Sequence, residues 1–330
     1  MVTTCIRLTC GGMDSMLVLA ATATSSLAVL FQQIEIGLTK GAVYALVALG
    51  YTLVYGIIEL INFAHGDVFM WSTVITLIVV QNLGITSPLG GIALVGVMLM
   101  LIVIGMLVSA TLNVTIERVA YKPLRRAPRL APLIAAIGIS FILENIAQYW
   151  HISPQNFPDV FPTGSFNIGG VRISYLDIFI LILAMCLMYA LDRFVRLTRL
   201  GKAMRATAQD PEAAALMGVN VDRTIMVTFI IGGALAGAAG VIYSMYVHQV
   251  WYFTGFQLGL IAFTAAVLGG IGNIYGAVLG GFVIGLIESL ATQYLPNGFA
   301  WSLAAVFAVL VLILVFRPSG LLGAQVPDKA

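Results

Sequence analysis

Charge is what this sequence has least of. Only 9% of its 330 residues are Asp, Glu, Lys or Arg, 60% are hydrophobic, and the mean hydropathy is +1.03. So few charges cannot solvate a globular surface, which excludes a soluble protein and points to an all-α, polytopic bundle of membrane-spanning helices. A net charge of +2 is too small to hold a polyanion, and the bases gather in a few loops, so nucleic-acid binding is excluded as well. Cysteine is scarce: Cys5 and Cys10 precede the first strong span and Cys186 lies in an apolar run, which gives neither a disulfide framework nor a metal-ligand spacing. Also missing are a zinc-binding HExxH, a phosphate-cradling Walker loop and a nucleophile elbow. Any nucleotide-driven work must then be done by another chain.

What is present is a succession of long apolar runs. Residues 1–32 are set apart as a leader or an extra N-terminal helix, with Ala21-Thr22-Ala23 resembling a cleavage site. Spans are expected at about 36–57, up to 81, 92–116, 131–150, 174–194, 225–247 and 299–316, with a glycine-punctuated hairpin over 258–295. That makes about eight crossings in a single membrane domain, residues 33–323, followed by a short tail, 324–330. The first arm of the hairpin, Leu258 to Ile271, is short for a full crossing and is expected to be tilted, or broken and shielded by its neighbours. Pairs of glycines four apart (Gly37/Gly41, Gly233/Gly237, Gly276/Gly280, Gly281/Gly285) predict close helix contacts.

Loop charge sets the orientation. Arg118, Lys122, Arg125, Arg126 and Arg129 crowd one connector, and Arg193, Arg196, Arg199, Lys202 and Arg205 another, so both are expected in the cytoplasm. The loop after Trp150, rich in proline and aromatics, is expected outside. The second basic connector holds Arg205 to Arg223, RATAQDPEAAALMGVNVDR. There Asp210 suits an N-cap, Pro211 the first helical position, Glu212 the positive helix end and Gly218 a left-handed stop. A helix from Pro211 to Met217 is roughly 10 Å long and too short to be stable alone. It needs a socket: Ala213, Ala214, Leu216 and Met217 would offer a small apolar surface, and Arg205, Asp210, Asp222 and Arg223 a polar rim.

Polar residues in or beside spans are the remaining candidates for a gate or a substrate path. Asn62, His65 and Asp67 occupy the turn ELINFAHGD; a structural alternative has Asn62 and Asp67 capping that turn and His65 bound to a backbone carbonyl. Glu144 and Glu288 are carboxylates in apolar runs that would fall in the outer half of the membrane, where they would meet an ammonium group. Their structural alternative is a bond to helix ends or to Asn145 and Gln293 nearby.

Glu212-Ala213-Ala214, three residues and Gly218 match the EAA-x-x-x-G core of the cytoplasmic loop of ABC importer permeases, without the Ile-x-Leu-Pro ending of that motif. The longer segments GAVYALVALGYTLVYGIIELINFAHGDVFM (41–70), ERVAYKPLR (117–125) and AFTAAVLGGIGNIYGAVLGG (262–281) resemble the branched-chain amino-acid permease family of LivH type, over essentially residues 33–323. The resemblance implies a non-catalytic permease of the bacterial cytoplasmic membrane, paired with a LivM-type permease. It further implies two cytoplasmic ATPases that bind ATP and Mg, and an extracytoplasmic binding protein, with the helix at Asp210–Gly218 as the ATPase dock. Urea, short amides or another amino acid would fit the same scaffold as cargo. A passive channel is a rival of a different class, and an intramembrane hydrolase would need Ser140 or another serine beside His65.

Overall fold

In the computed structural model, residues 5–323 are described apart from 126, 129, 151, 163 and 318, with side chains from residue 26 onward. The tail 324–330, most of the leader's side chains, and Arg126 and Arg129 of the first basic loop fall outside the described residues.

The chain is a bundle of helices. Helix α1 (Cys5–Ile58) is continuous through the boundary expected at residue 32, and is followed by α2 (His65–Asn82) and α3 (Gly91–Ile116). α3 runs on through a π-turn at Glu117–Tyr121 into the short α4 (Lys122–Leu124). Then come α5 (Leu130–Trp150), α6 (Tyr175–Leu197), α7 (Arg199–Gln209), α8 (Pro211–Leu216) and α9 (Val221–Val247). α10 (Thr254–Gly269), α11 (Ile274–Tyr294) and α12 (Gly298–Phe316) complete it.

Among the described residues, seven of these are long and apolar enough to cross a bilayer, counting Ser26–Ile58 of α1. Two of the expected segments, the second span and the first arm of the hairpin, fall outside that set as α2 and α10. α2 carries His65 and Asp67 in its first turn, and α10, 16 residues and roughly 24 Å long, is buried among its neighbours along most of its length. Polar groups and a short axis are tolerated there because protein, not lipid, surrounds them.

Small residues decide which helices touch. A Cβ on Gly41 would stand 2.8 Å from the Cα of Phe282, and one on Gly281 2.5 Å from that of Ala45, so α1 and α11 meet backbone to backbone. The other face of α11 uses Gly276 and Gly280 against Gly269 and Ala265 of α10. Gly233 and Gly237 of α9 lie in the same way on Ser109 and Gly105 of α3. α1 and α9 are accordingly central, and residues 42–49 are buried without a break. Ile92, Leu107, Ile134, Phe141, Val311 and Val315, on α3, α5 and α12, stay exposed, as an outer face meant for lipid or another apolar chain requires.

The long α5–α6 loop is not loose. Its strand β1 (Gln155–Asn156) pairs antiparallel with β4 (Gln249–Val250) after α9, and β2 (Ser165–Ile168) forms a hairpin with β3 (Val171–Ser174). His248 Nε2 lies 3.0 Å from Asp159, and the Leu89 amide donates to the carbonyl of Val160 at 3.0 Å. The loop thus caps the end of the bundle opposite the basic connectors.

Candidate functional site

At the basic end, α8 is built as its sequence requires. One oxygen of Asp210 accepts from the amides of Glu212 and Ala213 at 2.9 Å each, and Pro211 opens the helix. The helix closes with the Gly218 amide donating to Ala215 and the Val219 amide to Ala214, both at 3.0 Å, with Gly218 at φ 84°. That is the paired closure of a Schellman motif, in which the residue at this φ is usually glycine. Asn220 caps the next helix through the Arg223 amide at 2.9 Å.

The apolar surface is narrower than expected. Leu216 and Met217 are 89% and 85% exposed, but Ala214 is only 5% exposed and faces its own chain, where α7 and α9 lie against α8. Two of the expected rim residues are also engaged internally. Arg205 donates to the carbonyl of Val195 at 3.1 Å, and Asp222 pairs with Lys122 at 3.5 Å and with Arg125. Arg125 in turn pairs with the buried Glu117 in the π-turn, so the loop after α3 is fastened to the start of α9. Glu212, Ala213 and Arg223 remain exposed beside Leu216 and Met217.

The Asn62–Asp67 turn is buried at the centre of the bundle, and it does not cap itself. The N-cap of α2 is Ala64, with no side-chain cap. Asn62 instead donates to Asn113 Oδ1 at 3.2 Å, and Asn113 to the carbonyl of Phe229 at 2.7 Å, which links the turn to α3 and α9. Asp67 accepts from Ser140 of α5. Ser140 is therefore engaged by a carboxylate, not by His65. The ring of His65 has only the backbone of Val47 as a polar neighbour among the described residues, outside strict hydrogen-bond geometry, and it packs edge-on to Tyr51 at 4.8 Å.

Glu144 and Glu288 do not share a site. Glu144 sits one helical turn after Ser140 on α5 and is half-exposed. Glu288, on α11, takes neither Gln293 nor Asn145 as partner. Gln293 bonds to Gln33 and Asn145 to the Phe141 carbonyl, while Glu288 accepts from Lys40 at 2.8 Å and from the Tyr44 hydroxyl at 2.5 Å. A cavity of about 420 Å³ opens on this pair, lined among others by Tyr243, Tyr246 and Trp251. Only Glu288 of this group is a substrate-path candidate in the sequence. A usable signal was there: Lys40 and Tyr44 are four apart, hence on one helix face, and Tyr243 and Tyr246 repeat that at three.

A bundle of long apolar helices packed through glycines, with charged connectors at one end and a polar cavity towards the other, is a multi-pass membrane protein of the transport class. The chain belongs to the family described as branched-chain amino acid transport system / permease component, whose model matches residues 33–316. It is 41% identical over 303 residues, 90% of this chain and 97% of the relative, to the high-affinity branched-chain amino acid transport system permease protein BraD of Pseudomonas aeruginosa. It is 39% identical over the same shares to the LivH protein of that system in Escherichia coli K12. To a probable branched-chain amino acid transport permease protein LivM of Methanocaldococcus jannaschii it is 25% identical, over 86% of this chain and 84% of the relative. No solved structure matches the chain.

Proposed function

We propose that this chain is a membrane-spanning subunit of an ATP-driven importer of branched-chain amino acids, working by alternating access in a bacterial cytoplasmic membrane. The observation that carries the reading is the 41% identity, over nearly all of both chains, to a permease of that transport system. Residues 33–323 are the transport domain, and the last residues of the leader, from Ser26, extend its first span. The distant likeness to a LivM-type permease supports pairing with a second permease of similar architecture. Two cytoplasmic ATPases supply ATP and Mg, and an extracytoplasmic binding protein delivers cargo.

α8 is the handle that the ATPases hold. Glu212, Ala213, Leu216 and Met217 form its outward face, and Asp210 and Gly218 fix its ends. Arg205 ties α7 to the end of α6 and Asp222 ties α9 to the end of α3, while Arg223 stays on the exposed rim and Ala214 is the inner anchor. Movement of α8 passes to α9 directly and, through Asp222 and Arg125, to the end of α3.

The test is ATP-dependent l-leucine uptake into vesicles holding this chain with its partner subunits, beside a double variant Leu216→Glu, Met217→Glu. Uptake by the parent and its loss in the variant, together with loss of ATPase co-purification, is the expected result. Uptake of urea or short amides in place of leucine would transfer the reading to that cargo, and uptake without ATP would make the chain a passive channel.

A further inference from the structure

The cavity beside Lys40 and Glu288 is chemically uneven in a way that suits one class of ligand. Its volume of about 420 Å³ lies within the roughly 300–1,000 Å³ of ordinary small-molecule sites. One wall offers a cation and an anion 2.8 Å apart, both partly exposed to the hollow. The lining also has an apolar part, from Val43 one turn after Lys40 on α1 and from Leu258 and Ile261 of α10. Trp251, also in the lining, has its buried indole Nε1 without a hydrogen-bond partner.

We propose that this cavity is an amino-acid site within the subunit: Lys40 holds the α-carboxylate, Glu288 the α-ammonium, and Val43, Leu258 and Ile261 a branched aliphatic side chain. The assignment rests on the transport reading above. A zwitterion inserted between the two groups turns one ion pair into two, so neither charge is left bare in a partly dry place. Tyr44 continues to donate to the second oxygen of Glu288 throughout and keeps the carboxylate aimed at the hollow. A ligand with only one of the two charges would leave Lys40 or Glu288 unmatched. The cavity lies at the end of α1 and α11 that carries Gln249, Trp251 and Phe299, opposite the basic connectors, so it would be entered from outside.

The experiment uses the assembled transporter in lipid discs without binding protein, titrated with l-leucine, l-leucinamide and 4-methylpentanoate while tryptophan emission is followed. A saturable change with leucine, weaker binding of both singly charged analogues and loss of the signal in Trp251→Phe are expected. Glu288→Gln and Lys40→Met should each raise half-saturating leucine by about tenfold to a hundredfold, as loss of a charged hydrogen bond does. Neither should weaken the analogue lacking the matching charge, because the variant removes the group that this analogue leaves unmatched: 4-methylpentanoate for Glu288→Gln, leucinamide for Lys40→Met. Equal binding of the three compounds to the unaltered protein would overturn the site without any variant. So would full recovery of leucine binding in the exchanged pair Lys40→Glu, Glu288→Lys, which would make the contact a stitch between α1 and α11. Normal leucine uptake with unchanged titration in both single variants removes the cavity and leaves the transport reading standing. An unaltered complex that takes up no leucine, isoleucine or valine ends both.

Discussion

At Gly281 a single methyl group decides whether two helices can meet. Its Cβ would stand 2.5 Å from both the Cα and the amide nitrogen of Ala45, backbone atoms that cannot rotate away. Gly281→Ala therefore has to push α11 off α1, and overpacking of this kind costs about 1–3 kcal/mol. Gly138 of α5 is the matched control, since nothing lies within 4 Å of its Cβ position. Thermal unfolding in detergent should show a lower midpoint for Gly281→Ala and none for Gly138→Ala; equal midpoints would remove close packing as the reason for that glycine. Single residues also mark where reading the sequence stops. The spacing of Gly37/Gly41 and Gly281/Gly285 announces two close contacts, but not that they are the same contact. Asn62 and Asp67 look like caps because they sit beside a turn, and only the approach of α3 and α5 gives them Asn113 and Ser140 instead. A side chain's partner across the bundle leaves no trace in local spacing.

As an element, α8 is too short to hold itself together, so its order depends on its ends. Asp210 satisfies two of the free amides of the first turn, and its replacement by alanine costs about 1 kcal/mol. In hydrogen exchange the amides of Glu212 and Ala213 should exchange faster in Asp210→Ala, while those in the middle of α9 keep their protection. Unchanged exchange at both amides would show that something other than the cap orders the helix. Both ends of α8 were legible because caps are local chemistry: Asp210, Pro211 and Gly218 announce themselves. Which side faces inward was not legible, because six residues carry too little apolar periodicity to point a face. Ala214 and Leu216 look alike in sequence, and the fold puts the first inside and the second out. α10 was legible in part, since its apolar run is too short for a span and the shielding expected for it is what its buried residues show.

For the whole molecule, composition was enough for the class and loop charge for a direction. Arg118, Lys122 and Arg125 end α3, and Arg193, Arg196, Arg199, Lys202 and Arg205 follow along α6 and α7, at one end of the bundle. The ion pairs of Arg125 with Glu117 and Asp222 gather the α3 and α9 ends there. The β2–β3 hairpin and the aromatic cluster Trp251, Tyr252 and Phe253 occupy the other end, where amphipathic rings favour a membrane interface. If the basic end is cytoplasmic, α8 can reach an ATPase and the Lys40–Glu288 cavity faces delivered cargo. If it is not, both assignments fail together. The decisive measurement is labelling of single cysteines in a chain with Cys5, Cys10 and Cys186 replaced by serine. Leu216→Cys and Ile168→Cys suit it because both positions are well exposed. A membrane-impermeant maleimide added to spheroplasts should modify Ile168→Cys at once and Leu216→Cys only after permeabilisation. The reverse pattern would invert the bundle and place α8 where no cytoplasmic engine can grip it.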